Sequence, residues 1–259
     1  MTSYKAKRRK AIKRMNQPPR ILTTIGLEAP PDFPLVSYEA IHAAVSPRSG
    51  EATLKLGLWD EYAAAWNAVA IRFLSAVHYA DSFKATAVKA GIGTTHAVRF
   101  EEERAVFGFY ANAIASLDAA YYGLYAIGAF LSPLYFCLMG IRQQHKVDCY
   151  STYRAFKKYF PGDPIVDALN AEQKDAASVS LRYIRNVLAH RAAPPRLIRV
   201  SLSVGSDATQ QPPVWPSGKA ITPDVLTEPR ADLARLLGQV LDATATFAAA
   251  RILNALRPT

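Results

Sequence analysis

The sequence predicts a mainly all-α protein: an up-and-down helical bundle with a small β-hairpin insertion and a C-terminal packing helix. Apolar residues recur in steps of three and four over several long segments, as on the buried face of a helix. Proline- and glycine-rich stretches separate these segments, and a 50% hydrophobic content in 259 residues is enough to build a sizeable core. We expect residues 1–50 to form a basic arm and a proline-rich lead-in, and residues 51–259 to form the helical domain.

The N-terminal arm holds most of the formal net charge of +10. Eight of the 31 basic residues lie within residues 1–20, which contain no acid, so the rest of the chain has 23 bases against 21 acids. Such a run is usually a solvated arm and less often a handle for phosphate or anionic lipid. Residues 28–50 hold four prolines among polar residues, and we expect them to be irregular.

Two long helices are predicted next. The first covers about residues 56–89, where large apolar side chains follow helical spacing until the Gly91-Ile92-Gly93 segment. The second begins near Phe100, because the three glutamates at 101–103 favour a helix N-terminus, and it runs to about residue 130. We expect the two helices to pack as an antiparallel pair.

The uncharged stretch at residues 119–141 is long enough to span a membrane. It contains four tyrosines, whose hydroxyls need partners, and the Ser132-Pro133 break leaves neither half long enough to cross a bilayer. We therefore favour a buried core helix. A membrane-associated protein, with its basic arm on anionic lipid, is kept as the weaker alternative.

The cysteine content and the N-terminus point to the cytoplasm. Cys137 and Cys149 do not form a CxxC pair, which argues against a disulfide framework and a cysteine-built zinc site. His145-x3-Cys149 is a weak metal-binding pattern without further ligands nearby, so we expect neither a metal nor a cofactor. The basic N-terminus lacks the apolar stretch of a secretory signal.

Three helical segments are predicted in the second half of the chain. A helix at about 148–159 ends at Pro161-Gly162-Asp163-Pro164, a short helical stretch follows at 165–169, and a third helix covers about 171–191 before Pro194-Pro195. One face of the third helix carries an apolar stripe that we expect to be core, made of Ala177, Leu181, Ile184 and Leu188.

The end of the chain combines strand and helix signals. Residues 196–204 alternate as a strand does, and a weaker strand candidate near 220–222 follows a polar loop, which predicts a β-hairpin at about 196–223. Leucines and other apolar residues at helical spacing over 229–256 predict the final packing helix.

The helix at 171–191 carries the segment Arg185-Asn186-Val187-Leu188-Ala189-His190. Asn186 and His190 share a face, whereas Arg185 and His190 differ by roughly 140° around the helix axis. One straight helix therefore does not juxtapose them. They converge on one phosphate if the long Arg185 side chain swings round, if the helix ends near His190, or if a second subunit supplies the partner groups.

This Arg-polar-x3-His pattern, late in a helix of an all-helical bundle, resembles the motif of the HEPN superfamily. The resemblance implies an up-and-down bundle that dimerises around the motif and, as in the family's catalytic members, metal-independent endoribonuclease activity. It implies that Arg185 and His190 are catalytic and that Asn186 is the supporting polar residue. The β-hairpin and the basic arm lie outside the family's minimal pattern.

The residue types suit RNA cleavage by attack of the 2′-hydroxyl on the adjacent phosphate. His190 could take the 2′ proton or protonate the leaving 5′ oxygen, and Arg185 would bind the developing phosphorane through its planar fork. The expected products are a 2′,3′-cyclic phosphate and a 5′-hydroxyl. Arg182 and Arg191 are expected to bind RNA. The biological role would be that of a toxin or a defence effector, acting as a homodimer with a composite site and opposed by an antitoxin or partner protein.

Other interpretations of these residues remain open. In a non-catalytic helical module that binds RNA, a nucleotide or a partner protein, Arg185 would make a surface ion pair, and His190 would lie near a helix C-terminus, where positive charge is favourable. Asp118 is expected to be a buried structural carboxylate or a further polar group facing the motif. The chain has no Gly-x-Ser-x-Gly elbow and no glycine-rich phosphate loop after a strand.

Overall fold

A computed structural model describes residues 29–48, 58–90, 96–131, 147–190, 200–201, 209–210 and 220–253. Within these residues the protein is a mainly helical bundle, which confirms the predicted fold class. The described helices are α1 (Leu35–Val45), α2 (Leu58–Ala90), α3 (His96–Leu131), α4 (Cys149–Tyr159), α5 (Pro164–Lys174), α6 (Ala176–His190) and α7 (Thr227–Ala248). A 3-10 turn at Ser46–Arg48 follows α1, and a π-helical turn at Ala249–Leu253 follows α7.

The chain divides into two compact units. Unit 1 consists of the described residues within 1–71, 115–175 and 234–259, and unit 2 of those within 72–114 and 176–233. Helices α2, α3 and α7 each contribute one segment to each unit. The motif helix α6 belongs to unit 2, and the helices α1, α4 and α5 belong to unit 1.

Helix α1 corrects the expectation that residues 28–50 are irregular. Its prolines bound the helix rather than interrupt it, since Pro34 is the N-cap residue and Pro47 lies in the 3-10 turn that follows. Tyr38, Ile41 and Val45 recur in steps of three and four and are buried, so the segment is stabilised as a helix by packing. The proline content hid this short amphipathic pattern.

The α2 and α3 segments of unit 1 pack closely at a glycine. A Cβ atom on Gly123 would lie 2.6 Å from Cε2 of the Trp66 indole, so only glycine allows the observed approach. Nearby, the Ser116 hydroxyl donates to the carbonyl oxygen of Val69 at 2.9 Å. A residue later in α2 contacts a residue earlier in α3, so the two helices run antiparallel here.

The α2 and α3 segments of unit 2 show the same antiparallel register. A Cβ atom on Gly108 would lie 2.7 Å from ring atoms of Tyr79, and Nη1 of Arg72 donates to Oδ1 of Asn112 at 3.1 Å. The predicted antiparallel pair is therefore confirmed within each unit. Helix α3 begins at His96 rather than near Phe100 and continues to Leu131.

A buried aromatic cluster joins α1 to α2 in unit 1. His42 is 3% exposed, and its Nδ1 forms a 3.1 Å hydrogen bond with the Tyr62 hydroxyl. The rings of Tyr38, Tyr62 and Trp66 meet the His42 imidazole edge to face, at centroid distances of 4.5, 5.9 and 6.0 Å. Burial lowers the pKa of His42 to about 4, so this histidine is neutral at physiological pH.

Helices α4 and α5 pack against each other across the predicted turn. Gly162 adopts a positive φ of 78°, which glycine tolerates best, and Asp163 then caps α5 by accepting from the Ile165 backbone N–H at 3.1 Å. The other carboxylate oxygen of Asp163 accepts from Nη2 of Arg251, in the π-helical turn, at 2.8 Å. One side chain thus holds both the start of α5 and the segment after α7.

The boundary between α5 and α6 differs from the prediction. Helix α5 continues to Lys174 instead of ending near residue 169, and α6 begins at Ala176 rather than at 171. The break is at Asp175, whose ψ of 128° is extended. Both Asp175 carboxylate oxygens accept from the guanidinium of Arg235 on α7, at 2.8 and 3.0 Å. The ion pair of Asp175 with Arg235 thus lies at the break between α5 and α6, which the helix propensities of the neighbouring residues do not predict.

The segment after α6 is described only in part. Val200–Ser201 pairs antiparallel with Thr209–Gln210, and most of residues 196–223 lie outside the described residues, so the predicted β-hairpin stays a prediction. The final packing helix is confirmed as α7 together with the π-helical turn. Its buried apolar residues are Leu233, Leu236, Leu237, Val240, Leu241, Phe247 and Ile252.

One described helix is apolar and long enough to cross a membrane. It covers Ala97–Leu131, and 72% of its most apolar window is buried inside the protein. Its tyrosines Tyr121, Tyr122 and Tyr125 are all buried. This burial agrees with the predicted core helix, for which the remainder of the stretch, residues 132–141, lies outside the described residues.

Candidate functional site

The inner side of α6 sets the orientation of the motif. Leu181 is buried, as the predicted apolar stripe requires, whereas Ala177, Ile184 and Leu188 are half-buried. Ser178 is also buried, although its type gives no sign of this. The predicted stripe therefore faces the interior of unit 2, and the side of α6 opposite to it is free to carry surface residues.

The outer side of α6 carries a row of exposed positions. Val179 and Tyr183 are 55% and 65% exposed, and Asn186 follows on the same side of the helix. His190 occupies the next position in this row, four residues after Asn186, and its side chain lies outside the described residues. We call Val179, Tyr183, Asn186 and the His190 position the outer row of α6.

Arg185 is directed toward this row by a hydrogen bond. Its Nη1 donates to Oδ1 of Asn186 at 2.9 Å, although the two residues are successive and their positions lie about 100° apart around the helix. The guanidinium thus turns across the helix surface toward the side on which the His190 position lies. Of the three ways to overcome the 140° offset, this hydrogen bond favours a swing of Arg185, and the bounds of α6, which reach His190, agree with a helix that ends there.

The remaining candidates have different settings. Arg182 is half-buried on α6, so part of its surface is removed from solvent, and Arg191 lies outside the described residues. Asp118 is half-buried on α3, in unit 1, rather than fully buried as expected.

The described side chains form no metal centre. No three of the described His, Cys, Asp and Glu residues lie close enough together to hold a metal ion. His145, the histidine of the weak His145-x3-Cys149 pattern, lies outside the described residues.

A buried polar cluster in unit 1 is not foreshadowed by any motif in the sequence. Sγ of Cys149, on α4, donates to Oε2 of Glu172, on α5, at 3.1 Å, and both residues are at least 95% buried. Tyr121 of α3 lies beside them, and burial, followed by the charge of Glu172 and Cys149, raises its pKa well above the ordinary value. Cys149 and Glu172 satisfy each other inside the core with Tyr121 beside them, which is a structural role. No local pattern connects residues so far apart in sequence.

Helix α4 also presents a surface that no sequence motif marks. Its buried side carries Cys149, Thr152 and Phe156. Tyr150, Arg154, Lys157 and Lys158 are exposed, and Tyr153 and Tyr159 are half-buried. The signal in the sequence is the spacing of aromatic and basic residues in steps of three and four. We call this surface the α4 tyrosine–cation face, formed by Tyr150, Tyr153, Arg154, Lys157, Lys158 and Tyr159.

Comparison of the chain with protein-family profiles, characterised proteins and solved structures gives no match. The HEPN resemblance rests on the Arg185-Asn186-x3-His190 motif and its position in a helical bundle.

Proposed function

We propose that this protein is a metal-independent endoribonuclease of the HEPN type, with Arg185 and His190 as catalytic residues and Asn186 as the supporting residue. The observation that carries the proposal is the 2.9 Å hydrogen bond from Arg185 Nη1 to Asn186 Oδ1. This bond draws the guanidinium toward the side of α6 where the motif histidine belongs. A guanidinium has five N–H donors, and the donors that do not bond to Asn186 can bind a phosphate in a bidentate manner.

The reaction needs only acid–base chemistry and charge stabilisation. The 2′ oxygen of a ribose attacks the adjacent phosphorus, and the bond from phosphorus to the 5′ oxygen breaks. An imidazole accepts the 2′ proton or an imidazolium donates a proton to the 5′ oxygen, which is the role of His190. Arg185 stabilises the negative charge that grows on the phosphorane oxygens. The products are a 2′,3′-cyclic phosphate and a 5′-hydroxyl.

A homodimer accounts for the outer row of α6. Val179 and Tyr183 are large side chains left more than half exposed beside the motif, and apolar surface of this kind is favourable to bury in an interface. A second copy seated on the outer row would bring two motifs together and supply the groups that one helix lacks. The protein would then act in the cytoplasm as a toxin or a defence effector, held in check by an antitoxin or another partner protein.

The test is cleavage of RNA by the purified full chain in the presence of EDTA. We expect His190→Ala and Arg185→Ala each to lower the rate by about 10²- to 10⁴-fold, because each removes one catalytic contribution. Matched controls are His78→Ala and Arg104→Ala, which remove an exposed histidine and an exposed arginine elsewhere in unit 2. Substrate with 2′-O-methyl groups should resist cleavage, and the products should end in a cyclic phosphate.

A non-catalytic module is the second candidate, and the same exposed outer row favours it. In that case RNA or a partner protein would bind without turnover, so Arg185→Ala would weaken binding while no preparation cleaves RNA. Equal cleavage by wild type and the His190→Ala variant would exclude the nuclease proposal, since the activity would then belong to a contaminant or another site.

A further inference from the structure

The α4 tyrosine–cation face combines two kinds of groups in an ordered way. Arg154 Cζ lies 5.7 Å from the ring centroid of Tyr150, Lys157 Nζ lies 5.7 Å from that of Tyr153, and Lys158 Nζ lies 5.0 Å from that of Tyr159. These distances are within the range of cation–π interactions. Each of the three cations therefore lies over the ring of a neighbouring tyrosine on α4.

Among the described residues, no carboxylate pairs with the cations of this face. Several other cations in the described part of the chain are paired with acids: Arg235 with Asp175, Arg251 with Asp163, and Lys84 with Asp224. No such ion pair involves Arg154, Lys157 or Lys158 among the described residues. Three cations without a carboxylate partner among the described residues give this surface a positive potential, which is complementary to a polyanion.

The tyrosines indicate which kind of polyanion this face would bind. Tyr150 is 58% exposed on the outer side of α4, and Tyr153 is half-buried one turn further along. The six residues line a shallow depression of ≈ 530 Å³. Single-stranded nucleic acids bind to surfaces of this composition, because unpaired bases stack on aromatic rings while cations contact the phosphates. A duplex hides its base faces and would use the cations alone.

We propose that the α4 tyrosine–cation face binds single-stranded nucleic acid, with bases stacked on Tyr150 and Tyr153 and with phosphates contacted by Arg154, Lys157 and Lys158. This function does not depend on the motif of α6 or on cleavage. Helix α4 is stabilised in two ways. Asp148 and Ser151 form a capping box at its start, and the side chain of Phe156 on its inner side is fully buried. The face is thus presented on a stable helix.

Binding is measured with the full chain and a short, fluorescein-labelled 2′-O-methyl oligouridylate, which cannot be cleaved by 2′-hydroxyl attack. We expect Tyr150→Ala with Tyr153→Ala to raise Kd at least about fivefold, the effect of removing one stacked base, with the salt dependence unchanged. Tyr150→Phe with Tyr153→Phe keeps both rings and should bind as wild type. Circular dichroism verifies that each variant retains its helix content.

The charge variants give a second, independent readout. Lys157→Gln with Lys158→Gln should reduce the slope of log K against log salt by about 0.7 for each phosphate that the variant no longer neutralises. The control is Lys89→Gln with Lys174→Gln, which removes two charges from exposed positions of α2 and α5 and should leave the slope unchanged. This control also separates the face from the basic arm, which is present in all variants.

Three results would overturn the proposal. The first is wild-type affinity in the tyrosine-to-alanine variant, and the second is equal binding of single-stranded and duplex RNA. The third is loss of binding to phosphatidylserine vesicles, but not to the oligonucleotide, in the charge variant, which would make the face a lipid-binding surface. Failure of the nuclease proposal is recognised separately, because cleavage is measured with unmodified RNA and variants of α6.

Discussion

The buried aromatic cluster of α1 and α2 and the outer row of α6 use similar residues for opposite purposes. In the cluster, Tyr38, Tyr62 and Trp66 surround His42, which is 3% exposed. In the outer row, Tyr183 is 65% exposed and lies one helical turn before Asn186. Residue type alone therefore does not distinguish a packing residue from a surface residue in this protein. The exposed fraction of the side chain distinguishes them.

The difference has chemical consequences for histidine. Burial among rings lowers the pKa of His42 to about 4, so that the imidazole stays neutral and cannot exchange protons near neutral pH. A histidine that performs acid–base catalysis needs a pKa close to the working pH and a path to the substrate. The sequence contains five histidines, and only their surroundings distinguish a packing residue from a proton-transfer group.

The largest effect expected from this comparison is an acid sensitivity caused by His42. Between about pH 6.5 and 4 the unfolded state binds a proton at this residue and the folded state does not, so stability decreases as pH falls through this window, by up to about 3 kcal/mol. Above pH 6.5 the contribution is constant. Urea unfolding of the wild type and of His42→Phe, measured at pH 7.5 and 4.5, compares the two decreases in stability.

The His42→Phe variant should lose less stability on acidification than the wild type. We expect it to start from a lower value at pH 7.5, because the Tyr62 hydroxyl loses its partner, so the change with pH is the quantity to compare. The exposed histidine His78 supplies the control, and His78→Phe should retain the wild-type pH dependence. An identical decrease in all three proteins would contradict the burial of a neutral His42.

A pair of glycine substitutions tests how tightly the buried region is packed. Gly123→Ala places a Cβ 2.6 Å from the Trp66 indole and should destabilise the protein by about 1–3 kcal/mol, since the ring must move in a filled core. Gly238→Ala in α7 places its Cβ 3.9 Å from Pro34, an ordinary contact, and should stabilise the helix by up to about 1 kcal/mol. Thermal melts of the two variants should shift in opposite directions.

The smallest effect on stability is expected in the outer row of α6. Tyr183→Ala removes a side chain that is 65% exposed, so the free energy of unfolding of the monomer should change by no more than about 0.5 kcal/mol. Under the proposed dimer, the same change should shift the molecular mass measured by light scattering from dimer to monomer. A variant that stays dimeric would move the interface away from this row.

The helices with long apolar patterns were predictable from the sequence, and those with competing local signals were not. Helices α2, α3 and α7 bury stripes long enough to outweigh single unfavourable residues. Helix α1 was hidden because prolines at both of its ends suggested irregular structure. The break between α5 and α6 at Asp175 could not be predicted because Arg235, which binds both carboxylate oxygens of Asp175, lies far away in sequence.

The candidate site was predictable as a pattern on a helix and not as an arrangement of side chains. The sequence places Asn186 and His190 on one side of α6, which follows from helical geometry alone. It does not reveal that Arg185 bonds to Asn186, or that Tyr183 stays exposed beside them, because both depend on how α6 is packed. The face on α4 has a readable spacing, but only the structure shows which side of that helix is buried.

The two hydrogen-bonding tasks of Asp163 have a consequence for how this protein can evolve. Its carboxylate caps α5 through one oxygen and holds Arg251 through the other, and Arg251 also lies over the Phe160 ring at 5.8 Å. A substitution at position 163 changes both contacts at once. Asparagine would preserve the cap and remove the charge, whereas alanine would remove both, so we expect few substitutions to be tolerated at this position. If Arg251 is substituted first, position 163 no longer needs a negative charge, so we expect substitutions at these two distant positions to be coupled.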